Sequence, residues 1–202
     1  MSEVITSNLD SLLAEIRQCR LCEGLLPEPR PVLRASTSAS ILIVGQAPGT
    51  RVHASGVPWD DASGKRLRQW MNVGEEIFYD ESRIAIIPMG FCYPGKGRSG
   101  DLPPRSECAT TWHGKLRELL PNIQCTLLIG SYAQSYYLSD NYGSLTERVQ
   151  HWKKLAPATF VLPHPSPRNQ LWLRRNPWYE SDVVPALQRS IKALLNSARE
   201  PI

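Results

Sequence analysis

Long apolar runs are missing from this sequence. No stretch of its 202 residues approaches the roughly 20 consecutive apolar residues that a membrane-spanning helix needs. The first residues also lack the basic segment and apolar stretch that mark a secretory signal. We therefore expect a cytoplasmic protein with no membrane partner.

Repeats, low-complexity tracts and linker-like segments are also missing. A length of 202 residues is enough for one domain with a sizeable core, so we predict a single domain over residues 1–202. The formal net charge is only +4, which permits a polyanionic partner without requiring one.

The chain contains five cysteines. In a cytoplasmic protein these indicate metal binding or catalysis rather than disulfides. Cys19 and Cys22 form a close pair, and Cys92 and Cys108 flank a long loop. Four thiolates commonly hold a zinc ion or an iron–sulfur cluster, although the second pair is wider than the knuckles of structural zinc sites. Cys125 precedes a predicted strand and is interpreted as a small buried hydrophobic residue.

Four short apolar runs predict strands that are buried on both faces. They cover residues 41–44, 84–88, 126–130 and 159–162. Apolar residues at helical spacing predict helices over residues 7–20, 63–71, 105–120, 132–138 and 181–198. Strands that alternate with helices predict an α/β fold, with three α/β/α layers around a central, mainly parallel four-stranded sheet. Ligands of such sheets bind beyond the carboxyl ends of the strands, where the unusual loops of this chain begin.

The loop after the first predicted strand reads Gly45-Gln46-Ala47-Pro48-Gly49. It is neither a phosphate-binding P-loop nor a dinucleotide-binding fingerprint. Its small residues would let the backbone approach a planar ligand, or they form only a tight turn. Further along, Trp59 could stack on a base or plug the edge of the core. Asp60 and Asp61 could position a water molecule, or one of them caps the next helix.

The loop after the last predicted strand reads His164-Pro165-Ser166-Pro167-Arg168-Asn169. Its prolines stiffen the backbone beside a single histidine, and a basic segment follows. This arrangement suits chemistry on a nucleic acid. The alternative is a strand-end histidine with ordinary partners beside a solvated basic face.

Together these motifs resemble the iron–sulfur branch of the uracil-DNA glycosylase superfamily. The first loop, a six-residue gap, Gly56-Val57-Pro58-Trp59 and a later Gly64 resemble that branch's first motif, Gly-Glu-Ala-Pro-Gly followed after the same gap by Gly-x-Pro-Phe. The loop that begins at His164 resembles the second motif of the single-strand-selective monofunctional uracil glycosylases. A close cysteine pair followed by a wide pair is also the arrangement of the iron–sulfur branch.

The resemblance implies a monofunctional DNA glycosylase. Such an enzyme hydrolyses the N-glycosidic bond of uracil, or of a related deaminated base flipped out of DNA, and leaves an abasic site. It would be a monomer, associated with the nucleoid in the cytoplasm. A structural [4Fe–4S] cluster, or zinc as the alternative, would be held by Cys19, Cys22, Cys92 and Cys108.

The resemblance also implies roles for individual residues. The catalytic group would be His164, which hydrogen-bonds the uracil O2, with Gln46 and Asp61. The residues expected to bind the base are Gln46, Ala47, Pro48, Gly49, Trp59 and Met89. The residues expected to bind DNA are Ser166, Arg168, Asn169, Leu171, Trp172, Arg174, Arg175, Lys96, Arg98 and Arg105.

The chain also departs from the family pattern. Gln46 replaces the glutamate of the first motif, and Ala47 stands where another branch keeps its water-activating aspartate. The asparagine that reads the uracil edge would fall near Pro88 or Met89, and neither replaces an amide. Base specificity is therefore open. Two other function classes are compatible with these departures: a non-catalytic or crosslinking DNA-binding protein, and a hydrolase of free nucleosides or nucleotides.

Overall fold

A computed structural model describes residues 2–98, 100–139 and 142–197, with side chains from residue 4 onward. Ala198, the predicted end of the last helix, lies outside the described residues. The strands are β1 (Ile41–Val44), β2 (Ile84–Ile86), β3 (Cys125–Ile129) and β4 (Thr159–Leu162). The helices are α1 (Ser2–Arg17), α2 (Thr50–Ser55), α3 (Ala62–Met71), α4 (Glu75–Phe78), α5 (Ser106–Cys108), α6 (Gly114–Glu118), α7 (Gly130–Tyr137), α8 (Leu145–Gln150), α9 (Gln170–Arg175) and α10 (Val184–Ser197).

The four strands form one parallel sheet in the order β2-β1-β3-β4. In its centre, Ile41 of β1 lies opposite Ile84 of β2 and Cys125 of β3. Nearly every strand residue is buried, as expected for strands covered by helices on both faces. The predicted three-layer α/β/α fold is confirmed.

The helix boundaries differ from the predicted ones in ways that matter for the cysteines. Helix α1 ends at Arg17, so Cys19 and Cys22 lie in the turns after it rather than in its last turn. Cys108 lies inside a continuous helical segment, because α5 runs through a π-helical turn, Ala109–His113, into α6. Among the described residues, no helix is both long enough and apolar enough to cross a membrane.

Candidate functional site

An open cleft of about 490 Å³ lies beyond the carboxyl ends of β1, β2 and β4. This volume is typical of small-molecule sites. The loop after β1 forms one wall and the loop after β4 forms another. The predicted site residues that line the cleft are Gln46, Ala47, Pro48, Gly49, Trp59, Asp61, His164, Ser166, Arg168 and Asn169.

The loop after β1 is held in place by the chain that follows β2. The Met89 N–H donates to the Gly45 carbonyl and the Gly90 N–H donates to the Gln46 carbonyl, each across 2.9 Å. These bonds extend the sheet pairing past the last residues of the two strands. Met89 itself is 6% exposed and packs in the core, so its side chain does not reach the cleft, whereas Pro88 lines it.

The indole of Trp59 fills the space above Gly45. A Cβ atom at Gly45 would lie 2.7 Å from the indole, and one at Gly64 would lie 1.8 Å from the Trp59 carbonyl oxygen. Trp59 adopts a left-handed conformation with φ 58°, and its ring centroid is 5.6 Å from that of His164. The glycines of the first motif therefore make room for one aromatic wall of the cleft.

Asp61 has a structural role as well as a place in the cleft. Its Oδ1 accepts a hydrogen bond of 2.8 Å from the Gly64 N–H and caps α3, so the capping interpretation is confirmed. Its charge also acts on His164, raising the pKa of that imidazole against the larger opposite effect of burial. Asp60 instead pairs with Arg51 at 3.5 Å.

His164 is oriented by the loop that carries it. Its Nδ1 accepts a hydrogen bond of 3.2 Å from the Ser166 N–H, and its carbonyl accepts one of 2.7 Å from the Asn169 side chain. Burial lowers the pKa of the imidazole and favours its neutral form. Because Nδ1 is an acceptor, the neutral ring carries its proton on Nε2 and is a donor there.

Arg66 braces the same loop, and sequence reasoning missed it. From α3, its guanidinium donates to the Ser166 carbonyl at 3.4 Å and to Gln170 Oε1 at 3.1 Å. The partners lie about a hundred residues away along the chain, so no local motif could reveal the contact.

Residues 95–98 and 100–102 pair with each other as the two sides of a hairpin that faces the loop after β4. Lys96 and Asp101 form an antiparallel bridge, and both Lys96 and Arg98 are exposed. At the base of the hairpin, the Asp101 side chain lines the cleft next to Gly49, another feature that sequence reasoning missed. A Cβ atom at Gly100 would lie 2.8 Å from the Arg168 guanidinium, so the hairpin and the loop after β4 approach each other closely.

The segment after the cleft separates into exposed and packed side chains. Leu171 is 57% exposed, and Arg174 and Arg175 are exposed beside it. Trp172 instead packs edge-on against Trp178 and donates from Nε1 to a threonine of α8 at 2.8 Å. Leu171 is therefore the accessible apolar side chain of this segment.

The four predicted metal ligands line one cavity. This cavity is bordered by Cys19, Cys22, Cys92 and Cys108 together with apolar residues. Among the residues that the structure describes, no three potential ligands are already disposed around a single metal ion. As free thiols, Cys92 and Cys108 are poor acids, because burial raises the pKa of Cys92 to about 12 and that of Cys108 to about 11.

Hydrogen-bond donors surround the same sulfur atoms. Burial raises the pKa of Cys92 and of Cys108, and the nearby backbone N–H groups of Arg30 and Phe91, respectively, oppose that rise. The Arg105 guanidinium interacts with Cys22 and pairs with Glu107, so the structure brings Arg105 to the cysteines and not to the cleft. Four grouped thiols with N–H donors fit the donor set of a thiolate-bound cluster.

His113 connects the cysteine-bearing helix to the floor of the cleft, and sequence reasoning also missed this residue. Its Nε2 donates to the Pro88 carbonyl at 3.0 Å, so its Nδ1 accepts from the Tyr137 hydroxyl at 2.7 Å. The side chain is 1% exposed, and burial lowers the pKa of His113 to about 4.

Comparisons with known proteins agree with this geometry. Two relatives named "Type-4 uracil-DNA glycosylase" match the chain over 168 residues. The protein from Saccharolobus solfataricus is 23% identical, over 79% of this chain and 76% of its own length. The protein from Sulfurisphaera tokodaii is 24% identical, over 79% of this chain and 74% of its own length.

The family comparison covers most of the chain, including both loops that form the cleft. The model of the "Uracil DNA glycosylase superfamily" matches residues 34–188. On this evidence the chain belongs to the uracil DNA glycosylase superfamily.

Proposed function

We propose that this protein is a monofunctional DNA glycosylase that removes uracil, or a related deaminated base, flipped out of DNA. The observation that carries this proposal is His164, held in a substrate-sized cleft with its proton on Nε2 opposite the Gly45–Gly49 loop. The names of the two relatives support uracil as the base.

In the proposed reaction a water oxygen attacks C1′ of the sugar as the bond from C1′ to the base breaks. The bonding electrons leave with the base as an anion. The Nε2–H of His164 donates to the base O2 where this negative charge develops, and a preorganised donor of this kind lowers a barrier by about 3–4 kcal/mol. Asp61 holds the water and accepts its proton, and Trp59 stacks on the base.

The proposal of a monofunctional enzyme rests on the residues around the cleft. A bifunctional glycosylase uses an amine to form a Schiff base with the sugar. Among the cleft-lining residues that the structure describes, there is no lysine. Hydrolysis by water then ends the reaction at an abasic site.

DNA would be held on both sides of the cleft, with the protein acting as a single-domain monomer at the nucleoid of the cytoplasm. Lys96 and Arg98 of the hairpin, with Arg174 and Arg175 after the loop, are exposed and suited to phosphates. Leu171 is suited to fill the gap left by the flipped base, whose extrusion costs a few kcal/mol.

We also propose that the cysteine cavity holds a structural [4Fe–4S] cluster, with zinc as the alternative. Its ligands would be Cys19, Cys22, Cys92 and Cys108. When bound, the group would tie the turns after α1 to the segment after β2 and to α5, and it would take no part in hydrolysis. Iron, sulfide and zinc analysis of purified protein tests this directly. One zinc per chain without iron would reject the cluster.

Excision from a labelled uracil-containing oligonucleotide tests the function, with His164→Ala as the control. We expect abasic product with the native protein and about a hundredfold or greater loss in the variant. Binding without product would indicate a non-catalytic DNA-binding protein, and a denaturation-resistant complex would indicate crosslinking. Activity on free nucleosides alone would indicate the third function class. Each of these results would reject the proposal.

A further inference from the structure

The segment of residues 28–31 lies between the cysteine cavity and the cleft. Pro29 and Pro31, on either side of Arg30, border the same cavity as Cys92. The Arg30 side chain extends from this point to the end of α2. This short segment therefore borders the cysteine cavity through its two prolines and contacts α2 through the Arg30 side chain.

The guanidinium of Arg30 binds the C-terminal end of α2. It donates to the carbonyls of His53 and Ala54, the latter across 2.9 Å. A cation is favourable at a helix C-terminus, where carbonyl groups lack partners in the helix. A Cβ atom at Gly56 would lie 2.9 Å from the guanidinium, so this glycine leaves space for Arg30.

Helix α2 in turn forms part of the cleft. It begins at Thr50, directly after the Gly45–Gly49 loop, and Val52 of its first turns lines the cleft. Glu28 contacts the same helix through His53 Nε2 at 3.2 Å. The position of α2 therefore depends on a segment that also borders the cysteine cavity.

We propose that Arg30 is a positioning residue that couples ligand binding at the cysteine site to the shape of the base pocket. A group bound by the four cysteines would pack against Pro29 and Pro31, which border the same cavity. This contact would hold residues 28–31 in place and with them the guanidinium on α2. The inference rests on the proposed function and cofactor.

A double-mutant cycle that combines Arg30→Gln with Cys92→Ser tests the coupling, because proximity alone does not establish it. The cycle uses the full chain with His164→Ala, so that a uracil-containing oligonucleotide is bound and not consumed. Binding is measured by fluorescence anisotropy, and iron per chain is measured in every variant. Arg17→Gln, at an exposed arginine at the end of α1, controls for the loss of one charge.

We expect Arg30→Gln to keep its iron and to bind about tenfold more weakly, while Arg30→Lys recovers part of the affinity. Cys92→Ser should lose iron and weaken binding to a similar extent, and the double variant should bind no more weakly than Cys92→Ser alone. Independent, additive losses would overturn the inference. Loss of iron from the Arg30→Gln variant would also overturn the inference. So would an Arg30→Gln variant that binds the oligonucleotide with native affinity.

A second pair of variants leaves the cysteines intact. Gly56→Ala displaces the guanidinium, whereas Gly24→Ala introduces a methyl group at a similar positive φ with nothing within 4 Å. We expect only Gly56→Ala to weaken binding, and no further loss when it is combined with Arg30→Gln. Equal effects of the two glycine variants would overturn the inference. An iron-free native protein, or one that does not bind uracil-containing DNA, would instead reject the proposals on which it rests.

Discussion

The backbone N–H of Ser166 donates to Nδ1 of His164 across 3.2 Å, and this contact decides which nitrogen of the neutral ring carries the proton. The donor comes from the backbone, two residues after the histidine, on a stretch stiffened by prolines. A change at Ser166 can therefore remove the donor without altering the histidine itself.

Ser166→Pro should lower kcat about fivefold, because it removes the N–H that donates to His164 and one hydrogen bond contributes about 1 kcal/mol. Ser166 has φ −58° and ψ 140°, a conformation that proline adopts, so the loop should keep its shape. Ser166→Ala retains the N–H and serves as the control. Single-turnover excision by the two variants measures the effect, and equal rates would show that the tautomer is not fixed by this bond.

The two carboxylates that reach the cleft can be separated by matched variants. Asp61→Asn should lower kcat at least a hundredfold if Asp61 accepts the proton of the water, because general base catalysis contributes about 10²–10⁴-fold. The folded state should keep its stability, since asparagine also caps helices well. Asp101→Asn, at the hairpin carboxylate, is the comparison. A larger loss in Asp101→Asn would assign the water to Asp101.

The strands and both cleft loops could be predicted because their signals are local. A continuous apolar run identifies a buried strand, and the loops that begin at Gly45 and His164 follow such runs directly. The cleft contacts of Arg66, His113 and Asp101 could not be predicted, since they depend on how distant segments pack. Arg105 shows that a positive charge alone does not identify a DNA-binding residue. In the sequence, its arginine side chain is as compatible with a DNA phosphate as with the Glu107 carboxylate.

Gly45→Ala should destabilise the fold and disturb the aromatic wall of the cleft. The added methyl group would lie 2.7 Å from the Trp59 indole, and overpacking of this kind typically costs about 1–3 kcal/mol. Trp59→Phe removes the part of the ring that lies over Gly45, so Gly45→Ala should cost less in that background. Urea unfolding of the single and double variants measures this coupling. Additive losses would contradict the close contact.

The salt dependence of DNA binding should distinguish the arginines that face DNA from the one at the cysteines. Each phosphate contact contributes roughly 0.7 to 0.9 to the slope of log affinity against log salt concentration. Arg98→Gln and Arg174→Gln should each reduce the slope by about this amount. Arg105→Gln removes the same charge next to Glu107 and Cys22, and it should leave the slope unchanged. A reduced slope in Arg105→Gln would show that Arg105 contacts DNA phosphates.

His113 should make the fold sensitive to acid. Burial lowers the pKa of His113 from 6.5 to about 4, so between these pH values the unfolded chain binds a proton that the folded chain does not. Stability therefore falls as the pH drops through this window, by at most about 3 kcal/mol, and the decline ends below the folded-state pKa.

Replacing His113 by glutamine removes this titration while keeping a side chain that can both donate and accept hydrogen bonds. Urea unfolding at about pH 6.5 and about pH 4.5 should then show a smaller loss of stability in His113→Gln than in the native chain. His164 titrates in the same direction but is present in both proteins, so its contribution cancels in the comparison. Equal losses of stability in the two proteins would contradict this prediction. They would mean that the fold tolerates a protonated His113, which keeps only its hydrogen bond to the Pro88 carbonyl.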